Sequence, residues 1–135
     1  MGYKIEDIEG IGPAFKKKLG GAAIKNTDDL LANCCDRKGR KATSEKTGIG
    51  DGQLLKWANM ADMMRITGIG PQFAELLEAS GVDTVKELKN RNAENLATKM
   101  AEVNGKKKLA KTSPATSMIE GWIGQAKGIP PKISH

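Results

Sequence analysis

The chain repeats itself, and that constrains its fold more than any other feature. Shifted by 58 residues, Ile5 to Leu30 overlays Met63 to Leu88. Ile8 falls on Ile66, Gly10-Ile11-Gly12-Pro13 on Gly68-Ile69-Gly70-Pro71, Phe15 on Phe73, Leu19 on Leu77, Ile24 on Val82 and Leu30 on Leu88. Shifted by 65, Leu54, Trp57 and Ala61 overlay Ile119, Trp122 and Ala126, so the second half carries about seven extra residues between its matching parts. One small unit is therefore encoded twice. A unit of about 25 residues buries too little surface to stand alone, so the copies are expected to pack together with pseudo-twofold symmetry. The expected organisation is a single domain over residues 1–135, with internal repeats 1–60 and 61–130 and a short C-terminal tail.

Apolar residues recur at intervals of three and four, as in Phe73, Leu76, Leu77 and in Leu54, Trp57, Ala58, Ala61, and no stretch alternates apolar with polar. The fold class expected is all-α. Start and stop signals place helices near 3–8, 13–20, 27–35, 42–47, 51–65, 71–80, 84–90, 92–104 and 114–127. Pro13 and Pro71 suit a first helical turn, Gly81 a C-terminal cap, and Thr84 with Glu87 a capping box. Ser113-Pro114 reads as the opening of the last long helix, and Gly128 with Pro130-Pro131 as its close. In Thr47-Gly48-Ile49-Gly50-Asp51-Gly52 the glycines stop one helix and Asp51 caps the next. Trp57 and Trp122 are expected to be buried in equivalent places, and Phe15 and Phe73 to belong to the core.

Composition narrows the chemistry. The 135 residues carry a net charge of +6 and include one histidine and two cysteines. Cys34 and Cys35 are adjacent, which suits neither a disulfide framework nor a zinc site, and the histidine is the terminal His135. Ser/His and Cys/His constellations are thereby excluded, and Asp83, in a Val-Asp-Thr turn, does not resemble a glycosylase nucleophile. No enzyme activity, cofactor, metal or small-molecule substrate is expected. No apolar run approaches the roughly 18 residues of a membrane span and the N-terminal stretch lacks a signal-peptide core, so a soluble, cytoplasmic protein with no membrane partner is expected. The basic balance, with an isoelectric point near 9.4, leans toward polyanions.

The repeated glycines show where an anion could sit. At Gly10-Ile11-Gly12 and Gly68-Ile69-Gly70 one helix ends and another begins within about four residues, which leaves unpaired N–H groups at the positive end of the second helix dipole. Lys16, Lys17 and Lys18 follow the first hairpin, whereas Ala74, Glu75 and Leu76 follow the second, so the first is expected to hold anions more strongly. Two further basic clusters, Arg37, Lys38, Arg40, Lys41 and Lys106, Lys107, Lys108 with Lys111, lie between each hairpin unit and its tryptophan helix. They read either as two phosphate-facing patches or as solvated basic connections.

Helix, Gly-Ile-Gly-Pro, helix, followed in the second copy by Gly81-Val82-Asp83-Thr84-Val85 with Leu88, resembles the helix-hairpin-helix motif. Over nearly its whole length the chain is similar to a bacterial family of unknown function with tandem motifs of this kind. The resemblance implies that the backbones of Gly10, Ile11, Gly12 and of Gly68, Ile69, Gly70 contact duplex phosphates without reading bases. The expected function is thus sequence-independent binding of double-stranded DNA through these amides, Lys16 to Lys18 and the two basic clusters. A non-catalytic protein-interaction or assembly module is the alternative, allowed by the acidic residues after the second hairpin.

Overall fold

The computed structural model describes residues 3–134, and the terminal His135 lies outside them. Among the described residues the chain is all-helical. A 3-10 turn, Ile5–Asp7, precedes α1 (Pro13–Gly21), α2 (Thr27–Cys34), α3 (Arg37–Thr47), α4 (Asp51–Met63), α5 (Pro71–Ala79), α6 (Val85–Leu88), α7 (Ala93–Lys107) and α8 (Thr116–Lys127). The sole extended pairing among these residues is an isolated bridge between Lys4 and Asn26.

Side-chain caps account for many of the helix starts. Asn26, Asp36, Thr84 and Asn92 each accept an N–H from the first turn of α2, α3, α6 and α7. The Asp36 cap explains why α3 begins at Arg37 and not near residue 42: Asp36 Oδ1 accepts the Gly39 N–H at 2.7 Å, which draws the basic cluster into the helix. At the other end Gly48, with φ of 76°, stops α3 as expected.

Two expected caps are replaced and a third is half-formed. Gly50 caps α4 and Asp51 is its first helical residue, without a side-chain cap bond. Ala115 caps α8, because Ser113 Oγ is taken by Asn104 Nδ2 at 3.3 Å. Only half of the capping box forms: Thr84 accepts the Glu87 N–H, while the Glu87 carboxylate turns to Arg91 Nε at 3.0 Å.

Three helix pairings repeat between the halves, while α2 also packs on α3 without a comparable contact between α6 and α7. α2 packs on α4 as α6 packs on α8, α1 on α3 as α5 on α7, and α3 on α4 as α7 on α8, while α4 also meets α5. A hydrophobic cluster holds Ile8, Leu19, Leu30 and Trp57 together with Ile66, Leu77, Leu88 and Trp122. The extra residues of the second half lengthen α7 to 15 residues against 11 in α3 and extend the connection to α8. Asn104 holds that connection, accepting the Ala110 N–H at 2.9 Å and donating to the Ala110 carbonyl at 3.1 Å. Asp62, buried on α4, accepts the Val85 N–H at the start of α6 and pairs at 2.7 Å with Arg65, which in turn donates to the Pro130 carbonyl. Among the described residues no helix is long and apolar enough to cross a membrane.

Candidate functional site

The two glycine hairpins have the same backbone. Gly10 and Gly68 take φ of 95° and 99°, which a side chain disfavours. The next residue folds back in each, Ile11 N–H donating to the Ile8 carbonyl and Ile69 N–H to the Ile66 carbonyl, both at 3.1 Å. Both isoleucine side chains are buried, plugging the turn. Gly12 and Gly70 are extended caps without side-chain bonds, and the first helical acceptances run from Lys16 N–H to Gly12 and from Ala74 N–H to Gly70, each at 2.9 Å. Among the described residues the N–H groups of Gly12, Ala14 and Phe15, and of Gly70, Gln72 and Phe73, have no acceptor.

A tryptophan supports each turn. A Cβ on Gly10 would stand 3.3 Å from Trp57 Nε1, and one on Gly68 would stand 3.0 Å from Trp122 Nε1. Phe15 lies against Trp57 with ring centroids 5.1 Å apart, and Phe73 against Trp122 at 5.3 Å. Both tryptophans are buried, and both phenylalanines are half-buried against the core. The close contact explains why these turns carry glycine on the tryptophan side as well as for backbone freedom.

The surroundings of the two hairpins differ. At the second, Gln72 at the start of α5 joins Asn104, Lys108 and Lys111 around an open cleft of about 520 Å³. Gln72 also borders a neighbouring recess of about 470 Å³ against Gly68, Gly70 and Phe73. A side chain at Gly70 would come within 3.7 Å of the Tyr3 hydroxyl, so the start of the first repeat reaches the second hairpin. Thr67 is held by Gln125 on α8, whose Oε1 accepts the Thr67 N–H and whose Nε2 donates to the Thr67 carbonyl, both at 3.0 Å.

At the first hairpin one lysine is ion-paired and another lies over a ring. Lys16 Nζ sits 2.7 Å from Glu6 Oε2, a bond that holds the Glu6 carboxyl below its ordinary range. Lys18 Nζ lies 5.7 Å over the Phe15 ring. Glu75 on α5 is pushed up, first by burial and then by the negative charge of Glu9, with Lys56 opposing and Glu78 adding to the rise. Glu9 directly precedes Gly10, so a carboxylate stands beside the first turn and its field reaches Glu75 on α5. Of the three lysines on which the expected advantage of the first hairpin rested, Lys16 is ion-paired with Glu6, while Lys18 over the Phe15 ring keeps its charge.

The basic clusters split as well. Arg37, Lys38 and Lys41 are exposed on α3, and Arg37 and Lys41 border a cleft of about 370 Å³ against Asp51 and Gly52 at the start of α4. Arg40 turns inward and is 4% exposed, donating through Nη1 to the Cys34 carbonyl at 3.0 Å and through Nη2 to the Ser134 carbonyl at 2.7 Å. Its guanidinium joins the end of α2 to the C-terminal segment and does not face solvent. Lys106 and Lys107 are exposed on the last turn of α7, where Lys106 approaches Glu102 at 3.8 Å, and Lys108 closes the helix in the left-handed region. Cys34 is buried, and burial pushes its thiol up, away from a reactive thiolate. Among the described residues no group of three His, Cys, Asp or Glu could hold a metal ion.

Three side chains at the second hairpin escaped sequence reading. Gln125 left a trace: the offset of 65 that aligns the tryptophans places it on Met60, a polar residue where the first copy is apolar. Gln72 and Tyr3 left none, since their relevance depends on where α7 and the first residues pack. A family model described as a domain of unknown function (DUF4332) matches residues 9–129. No solved structure matches the chain.

Proposed function

The chain belongs to the DUF4332 family, and on that premise we propose that it is a non-catalytic, sequence-independent binder of double-stranded DNA, acting in the cytoplasm. In this reading the two glycine hairpins are tandem helix-hairpin-helix units related by a pseudo-twofold within one domain. The matched turns, the matched tryptophans and the repeated helix pairings support that relation. The observation that carries the DNA reading is at the second hairpin. There Gln72, one of the residues with an unpaired N–H at the start of α5, lines one cleft together with Lys108 and Lys111. Free amides at a helix start and flexible cations are the groups that hold phosphodiesters, and neither distinguishes bases.

The contact surface proposed is therefore Gly68, Ile69 and Gly70 with Lys106, Lys107, Lys108 and Lys111. Gly10, Ile11, Gly12, Lys17, Arg37, Lys38 and Lys41 form a secondary one. Arg40 drops out because its guanidinium is committed to two carbonyls. Docking of a protein partner is the second reading, and the carboxylates of Glu9 before the first turn and of Glu75 on α5 favour it, since carboxylates repel phosphate.

Anisotropy titration of a random duplex across salt concentrations tests the proposal. If about four phosphates are neutralised, log affinity falls with log salt at a slope near −3.6, from a dissociation constant on the order of 1–100 micromolar at physiological salt. Scrambling the duplex sequence leaves the curve unchanged. Folded protein that binds no duplex at low salt ends the DNA reading and leaves docking of a protein partner as the better account.

A further inference from the structure

The two hairpins share a backbone but are not held alike. Trp122 lies beneath Gly68 as Trp57 lies beneath Gly10, yet among the described residues the second turn alone is also gripped from the side by a side-chain pair. The Gln125 carboxamide makes a two-way pair with the backbone of Thr67, the residue before the left-handed Gly68, with both bonds at 3.0 Å. The residue at the matching place in the first repeat is Met60, whose thioether cannot donate and accept as a pair. We propose that Gln125 is a positioning residue for phosphate contact. It fixes the peptide plane at Thr67 so that the following turn, and the amides that open α5, are already in their bound arrangement.

The inference rests on the DNA reading and deepens it. A turn held in place loses less conformational freedom when a phosphate docks, so the clamp raises affinity without touching the ligand. It adds no charge, so it leaves the number of displaced counterions alone. It also explains why the second hairpin, which lacks the lysine run of the first, is the better-prepared site.

The test uses the full chain with Gln125→Met, which installs the residue of the first repeat, and Gln125→Ala as a second variant that introduces no new packing. The readouts are thermal unfolding, amide hydrogen exchange at Thr67, and duplex anisotropy across salt. The expected result is a nearly unchanged Tm, faster exchange at Thr67, and duplex affinity reduced about fivefold with the same salt slope. Binding equal to that of the unaltered chain, with Thr67 exchange accelerated, would overturn the positioning role while leaving DNA binding intact. Unchanged exchange would overturn the clamp itself. An unaltered chain that binds no duplex removes the reading beneath the proposal, an outcome distinct from both.

Discussion

Gly10 and Gly68 carry two demands at one atom, a left-handed backbone and a tryptophan against the missing side chain. Alanine at either position takes on the cost of positive φ, about 1 kcal/mol, and drives a methyl toward the indole nitrogen. The approach is 3.3 Å at Gly10 and 3.0 Å at Gly68, so Gly68→Ala should be the more damaging of the two. Urea unfolding should show losses of about 1–3 kcal/mol in that order. Glu75 gives a prediction of opposite sign. Burial and Glu9 raise its folded pKa above the unfolded value, so the folded chain binds more protons through that window and loses stability as pH rises through it. Glu75→Gln should raise Tm at pH 7 by about 1–2 °C and have no effect once the pH falls below the ordinary glutamate value, which thermal scans at pH 7 and pH 3.5 would check. The glycines were legible because they recur in phase with tryptophans at fixed offsets. The effect of Glu9 on Glu75 was not, since nothing in 66 residues of separation marks two carboxylates as interacting.

Elements were read well where local chemistry decides them. Proline after glycine opens α1 and α5, and positive-φ glycines follow the ends of α3 and α5. Errors arose where a side chain had a competing partner: Ser113 is drawn to Asn104, and Glu87 to Arg91. α3 shows the same limit in a charged run. Arg37, Lys38, Arg40 and Lys41 look alike in sequence, yet Arg40 lies three residues before buried Thr43 and points with it toward the core. Arg40→Met keeps the hydrocarbon stem but strands the carbonyls of Cys34 and Ser134, and should cost about 1–3 kcal/mol in chemical unfolding. Arg37→Gln with Lys41→Gln should change stability by no more than about 0.5 kcal/mol. If these two groups face phosphates, the same double variant should flatten the salt dependence of duplex binding by about two charges.

At the scale of the molecule, the net charge of +6 says only that a polyanion is welcome. Where the charge lies decides more. Lys108, just past the end of α7, shares a cleft with Gln72 at the start of α5, whereas after the first hairpin Lys16 is paired with Glu6. The repeat made the paired architecture legible, but the difference between the copies emerged only from packing, through Gln125, Tyr3 and the longer α7. Replacing Lys106, Lys107 and Lys108 together with glutamine should reduce the magnitude of the salt slope by up to about 2.7 and leave the unfolding midpoint nearly unchanged, as anisotropy and thermal scans would report.

The most direct measurement is a titration of the ¹⁵N-labelled chain with a short random duplex, followed amide by amide. Phosphate contact at the second hairpin predicts the largest shifts at Gly70, Gln72 and Phe73, smaller ones at Gly12, Ala14 and Phe15, and reversal of both as salt is added. Shifts that gather around Glu9 and Glu75 while the amides opening α5 stay still, or no shifts at all at low salt, would contradict the account.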